Sequence, residues 1–276
     1  MFKDGTMDIL ELYKDSLSYP TKDIDKLLTL GVLFFLDGII SLLPSITIAL
    51  NQILTTQILY FISNIVGIIL ILIIGGYTLS IVKNTIVNSP IPSIKLIRNI
   101  TDGIKIFIIS IIYYIIPSTI TLIIAYFTGV LNGLVELSLI YLFYGPEVIS
   151  HILHLSSLTF NMDLIISIII IATFLFILTT LILIIAIARF ACTNSMKSSL
   201  NIKEVINDIS KISWRKYLIS IVLFFIILLA VLIVTVVVSI IPFVGLIIFF
   251  LALLPFISIF SGRTIGLIYR ERKDFI

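Results

Sequence analysis

The chain has 276 residues, 60% hydrophobic and 12% charged, where soluble globular domains average about 45 to 50% and about 25%. A mean hydropathy of +1.26 leaves too little polar surface to cover a water-soluble fold, so lipid must be the solvent for most of the chain. The same figures exclude disordered, collagenous and coiled-coil classes, and the sequence carries no Walker, dinucleotide, nucleophile-elbow or nucleic-acid signature.

The N-terminus mixes acids and bases without an apolar h-region, so no signal peptide is expected to be removed. Residues Met7 to Ser16 set Leu10, Tyr13 and Leu17 against Asp8, Glu11 and Asp15, the pattern of a weak in-plane helix. A bilayer core of about 30 Å needs about 20 apolar residues per helix, and six stretches qualify. They run from Leu27 to about Leu50, about Ile58 to Val82, Ile104 to Phe127, Leu164 to Ala188, Tyr217 to Ile241, and from after Gly245 to about Ile268. Between spans two and three, Pro90 and Pro92 precede Ser93, a candidate cap for a helix with Ile94, Ile97, Ile100 and Ile104 on one side and Lys95, Arg98, Asn99 and Asp102 toward water. Before span five, Asn201 and Glu204 form a capping box. The helix they open carries Ile202, Val205, Ile206, Ile209 and Ile212 opposite Lys203, Glu204, Asp208 and Lys211, and Trp214 then marks the interface.

All 18 Lys and Arg residues fall on one side of this six-span layout. The other side comprises Asn51 to Gln57, Thr128 to Asp163 and the turn at Pro242; it holds no base and three acids, Glu136, Glu147 and Asp163. The positive-inside rule therefore places both termini in the cytoplasm. Eleven acids share the inner side, leaving it seven positive charges in excess, a surface suited to anionic lipid.

Each in-plane helix leads into an odd-numbered span, and these end near Leu42-Leu43-Pro44, Ile115-Ile116-Pro117 and Ile240-Ile241-Pro242. The even spans exit through Gly76-Tyr77-Thr78-Leu79, Gly262-Arg263-Thr264-Ile265 and, more loosely, Ala188-Arg189-Phe190-Ala191. The expected fold is an all-α polytopic membrane protein: a single integral membrane domain of six transmembrane helices, in three repeated units of amphipathic interfacial helix plus transmembrane hairpin. The units cover about 7–83, 84–192 and 193–270, with an outer segment at 128–163.

Four short motifs carry a family likeness: Tyr19-Pro20-Thr-Lys-Asp23, Gly76-Tyr77-Thr-Leu-Ser-Ile-Val-Lys83-Asn84, Asp102-Gly103-Ile-Lys105 and Ile241-Pro242-Phe-Val-Gly245. With these the chain resembles an archaeal membrane family, domain of unknown function 4013, over most of its length outside 128–163. The resemblance implies an uncharacterised multi-pass membrane protein and brings no activity or site residues with it.

Asp37 is the one carboxylate within a span. It lies 11 residues beyond Lys26, about 16 Å into the core at helical rise. No base matches its depth, so it is a candidate proton or cation site, or a neutral acid bonded to a neighbour such as Asn64. Glu147, His151 and His154 share one face of a helix expected after Pro146, either as the wet face of an interfacial helix or as a weak candidate metal site. Arg189 and Arg263 end spans four and six and, with Lys95, Arg98, Lys203 and Lys211, are candidate contacts for lipid head groups.

The leading expectation is a non-enzymatic protein of the cell membrane, without a cofactor, whose basic inner face engages anionic lipid or a membrane partner. A small transporter or channel at Asp37, alone or as a homo-oligomer, is the alternative; a membrane hydrolase using Glu147, His151 and His154 is the second.

Overall fold

A computed structural model describes residues 8–50, 53–144, 162–241 and 243–272. The described residues are almost wholly helical and contain no strand. Six helices are long and apolar enough to cross a membrane. Helix α1 (Ile9–Ser18) and a 3-10 turn (Pro20–Lys22) lead into α2 (Ile24–Ala49), α3 (Ile53–Ile86) and α4 (Leu96–Phe127). Next come α5 (Val130–Tyr144), α6 (Met162–Thr193), and the short α7 (Met196–Leu200) and α8 (Ile202–Ile212). The last two spans are α9 (Trp214–Ser239) and α10 (Val244–Arg270). In each span no more than 22% of the most apolar stretch is buried. Side chains such as Ile71, Phe107, Ile170 and Val236 face outward, as expected of helices solvated by hydrocarbon.

The chain packs as two compact units, one of residues up to Ile109 together with those from Ile184 on, the other Ser110–Leu183. The divisions fall inside α4 and α6. In the smaller unit Tyr114 of α4 stacks on Phe176 of α6 at 5.5 Å, and its hydroxyl shares a 2.9 Å hydrogen bond with Thr180.

The larger unit is assembled on glycines. A Cβ at Gly76 of α3 would lie 1.8 Å from the carbonyl oxygen of Asn99, and one at Gly103 of α4 would lie 2.0 Å from that of Leu72. The two helices thus cross backbone to backbone, each helix giving up a side chain where the other presents a carbonyl. On α2, Gly31 meets the Leu251 carbonyl and Gly38 the ring of Phe250. Both contacts fall on a π-turn, Phe249–Leu253, inside α10. Pro255 has no N–H to give to Leu251 four residues back, so that carbonyl lacks its α-helical donor. Tyr19, Leu30, Tyr77, Ile81, Ile91 and Ile259 form a buried cluster at the charged ends of these helices.

The structure corrects three local expectations. The segment after Pro92 is not a separate in-plane helix capped by Ser93; it is the first part of α4, which begins at Leu96 and runs unbroken to Phe127. The helix continues through Pro117, and residues 91–92 are tied down ahead of it, with the Ile91 carbonyl accepting from Lys26 at 2.6 Å and that of Pro92 from Tyr77 at 3.1 Å. Asn99 and Asp102, expected toward water, are buried, whereas Ile97 is 84% exposed. Likewise in α1 Leu12, Tyr13 and Ser16 are buried while Leu10 and Leu17 are exposed. In α8 the Asn201 carboxamide does cap the helix and donates to Glu204 at 3.0 Å, but Asp208 is buried beside Val205, Ile209 and Ile212.

Candidate functional site

Among the described residues, polar side chains are concentrated in two kinds of place. The first is a groove between α2 and α3, of about 270 Å³, lined by Asp37, Ser41, Tyr60, Ser63, Asn64, Gly67, Ile68 and Ile71. Asp37 is the fourteenth of the 26 residues of α2, so it stands at mid-span, and Asn64 lines the same groove. No hydrogen bond joins the two: the Asn64 amide donates to the Tyr60 carbonyl of its own helix at 2.6 Å. Gly67 leaves the room that Asp37 occupies, since a Cβ there would come within 3.3 Å of a carboxylate oxygen.

The second kind is a set of three carboxylate clusters at the charged ends of the spans. Asp208 of α8 accepts from Arg189 of α6 at 2.6 Å, from Tyr269 of α10 at 3.0 Å and from Arg272 at 3.0 Å. Arg189 also reaches Glu204 and, at 2.8 Å, the Ser198 hydroxyl. Asp15 of α1 accepts from Arg263 of α10 and from Lys22, both at 2.8 Å, and Arg263 lies over the Tyr19 ring at 4.3 Å. Asp102 of α4 accepts from Lys83 of α3 at 3.1 Å, with Lys105 at 3.7 Å. In each cluster the acid stands ahead of, or at the head of, an odd-numbered span, and its principal base comes from the end of an even one.

These clusters relocate two of the expected lipid contacts. Arg189 and Arg263 are turned inward, with their guanidinium groups engaged by carboxylates. Lys95, Arg98 and Lys203 are exposed and Lys211 is half-buried. Glu147, His151 and His154 lie outside the described residues. Among the described residues no group of three or more His, Cys, Asp or Glu could hold a metal ion.

Burial alone would raise the Asp15 carboxyl, but hydrogen bonds and charge from Lys22 and Arg263 outweigh it and hold the group below the usual carboxylate range. A depressed folded-state value gives stability that is complete above the unfolded value of about 3.9 and fades as pH falls through the folded one. Acidification below about pH 4 is therefore expected to loosen α1 from α10, read as faster amide exchange across Ile9–Ser18. Arg263→Gln should move that loosening to higher pH, and an unchanged midpoint would refute the linkage.

A family model described as "Protein of unknown function (DUF4013)" matches residues 58–243. The chain belongs to the DUF4013 family. The match takes in the Gly76 and Asp102 motifs, and with them the α3–α4 crossing. It also spans the 128–163 segment, expected to stand outside the resemblance, and leaves out Tyr19 to Asp23 and all of α10. No curated protein and no solved structure matches this DUF4013 chain.

Sequence reading found Asp37 and Asn64 but missed the carboxylates that organise the charged ends. One signal was available. Asp102 and Lys105, like Asp208 and Lys211, repeat an acid and base three apart at the close of an apolar-periodic segment.

Proposed function

We propose that this DUF4013 protein is a non-enzymatic integral membrane protein of the cell membrane, with both termini cytoplasmic, whose basic inner face holds anionic lipid head groups. One observation carries the reading. The inner-side acids Asp15, Asp102 and Asp208 are drawn into ion pairs, while Lys14, Lys95, Arg98, Lys197, Lys203 and Arg215 remain exposed. The pairs take Lys83, Arg189, Arg263 and Arg272 inward with the acids, and the exposed bases are what the inner face keeps to offer a lipid head group. Helix α8 fits the inner leaflet: Val205, Ile209 and Ile212 pack inward, and Ile202, Ile206 and Trp214 are left for lipid. The recurrence of an acid from the head of an odd span on a base from an even one supports reading the chain as three copies of one unit.

The test is thermal stability in bilayer discs of neutral lipid and of neutral lipid with an anionic fraction. Anionic lipid is expected to stabilise the parent, and the combined Lys95→Gln, Arg98→Gln, Lys203→Gln variant to lose most of that gain, at about 1 kcal/mol per close base. Equal stabilisation of parent and variant would end the proposal. A transport role for Asp37 has less support, because the groove is walled by α2 and α3 alone, whereas a solute path needs lining on every side.

A further inference from the structure

The groove at Asp37 is open to the membrane at mid-span and polar in its floor. Among the described residues nothing hydrogen-bonds or ion-pairs with the Asp37 carboxyl group. A carboxyl group facing hydrocarbon without a partner is costly, and in membranes such groups find partners on adjacent helices. The groove also offers a donor: the Asn64 carboxamide has two N–H groups, and Tyr60 takes one. The apolar side chains that line it, Ile68 and Ile71, are exposed. Ser63 and Gly67, four residues apart on α3, are both buried, with Gly67 packed against Asp37 of α2.

We propose that the α2–α3 groove seats a second copy of this chain, related by a twofold axis along the membrane normal, with Asp37 of each copy hydrogen-bonded to Asn64 of the other. What selects a second copy is self-complementarity. One groove holds both the unpartnered acceptor and the spare amide donor, so a single isologous contact satisfies both groups twice. A copy with the same topology keeps every residue at its own depth, and Asp37 and Asn64 line one groove, so the two meet at the same level. If protonated, Asp37 could also donate to the Asn64 carbonyl oxygen, and the contact survives either charge state.

The experiment counts subunits by single-molecule photobleaching in liposomes over a series of protein-to-lipid ratios. Disulfide trapping of Ile68→Cys in a Cys192→Ser background reports the geometry. The parent is expected to dimerise, and Ile68→Cys to cross-link to itself, while Val234→Cys on α9 does not. Asp37→Leu should weaken association about tenfold, the loss expected for intramembrane hydrogen bonds. Asp37→Asn, whose amide both donates and accepts, should keep it. Asp37→Leu should also be at least as stable as a monomer, since it removes a polar group from hydrocarbon; its helicity and melting confirm that lost association is not lost folding. A parent that stays monomeric at all ratios would overturn the proposal. So would a dimer whose affinity Asp37→Leu leaves unchanged, or a monomer that carries a proton or cation flux abolished by Asp37→Asn, which would make the groove an ion site.

Discussion

Gly76→Ala is expected to destabilise the protein by about 3 kcal/mol or more, while Gly75→Ala, one residue away, leaves it unchanged or slightly more stable. A Cβ at Gly76 would sit 1.8 Å from the Asn99 carbonyl oxygen, whereas a Cβ at Gly75 meets nothing within 4 Å. The obstacle at Gly76 is backbone, which cannot swing aside as a side chain can. Relief requires α3 and α4 to part, and with them the ion pair of Lys83 with Asp102. At Gly75 the methyl group reduces the conformational freedom of the unfolded helix at no steric cost, a gain of about 0.5 to 1 kcal/mol. Unfolding in mixed micelles by increasing denaturing detergent reads both. The crossing is misplaced if the two variants lose stability equally.

Asp208→Ala is the second large effect, with an expected loss of about 3 to 5 kcal/mol. The side chain is 2% exposed and ties together Arg189, Arg272 and Tyr269. Its removal takes a carboxylate from two guanidinium groups of which neither is more than 16% exposed, leaving Arg189 to the more exposed Glu204, and a buried charge that loses its partner costs more than the pair contributes. Asp208→Asn keeps one acceptor and should lose less. Glu204→Ala should cost no more than about 1 kcal/mol, because its side chain is 46% exposed and Asp208 still holds Arg189. The same unfolding titration ranks the three. A loss at Asp208→Ala no larger than at Glu204→Ala would mean that water, not the carboxylate, satisfies the arginines.

Some of this is visible in the residues read in order, and the rest only once they are folded. The six spans, the one-sided distribution of Lys and Arg and the isolation of Asp37 can all be read along the chain, because hydrocarbon acts on each segment separately. About twenty apolar residues suffice for a helix to cross, whatever its neighbours do. The Asn201 cap was legible for a similar reason, since it needs only residues three apart. Burial at the charged ends was not. Periodicity placed Asp15, Asp102 and Asp208 on water-facing sides, as it must for a charged residue opposite an apolar stripe. Each instead faces inward because a base from a distant helix, Arg263, Lys83 or Arg189, waits there. Gly76 and Gly103 were visible as motif letters, yet their use against Asn99 and Leu72 depends on how two helices cross. The groove divides in the same way: Asp37 announces itself by depth, but Ser63 and Gly67 join it only through the packing of α3 on α2. Sequence by itself decided what enters the membrane, a property of each segment and its solvent. Tertiary structure decided which charges are satisfied and which helices touch, because those depend on pairs of residues far apart in the chain.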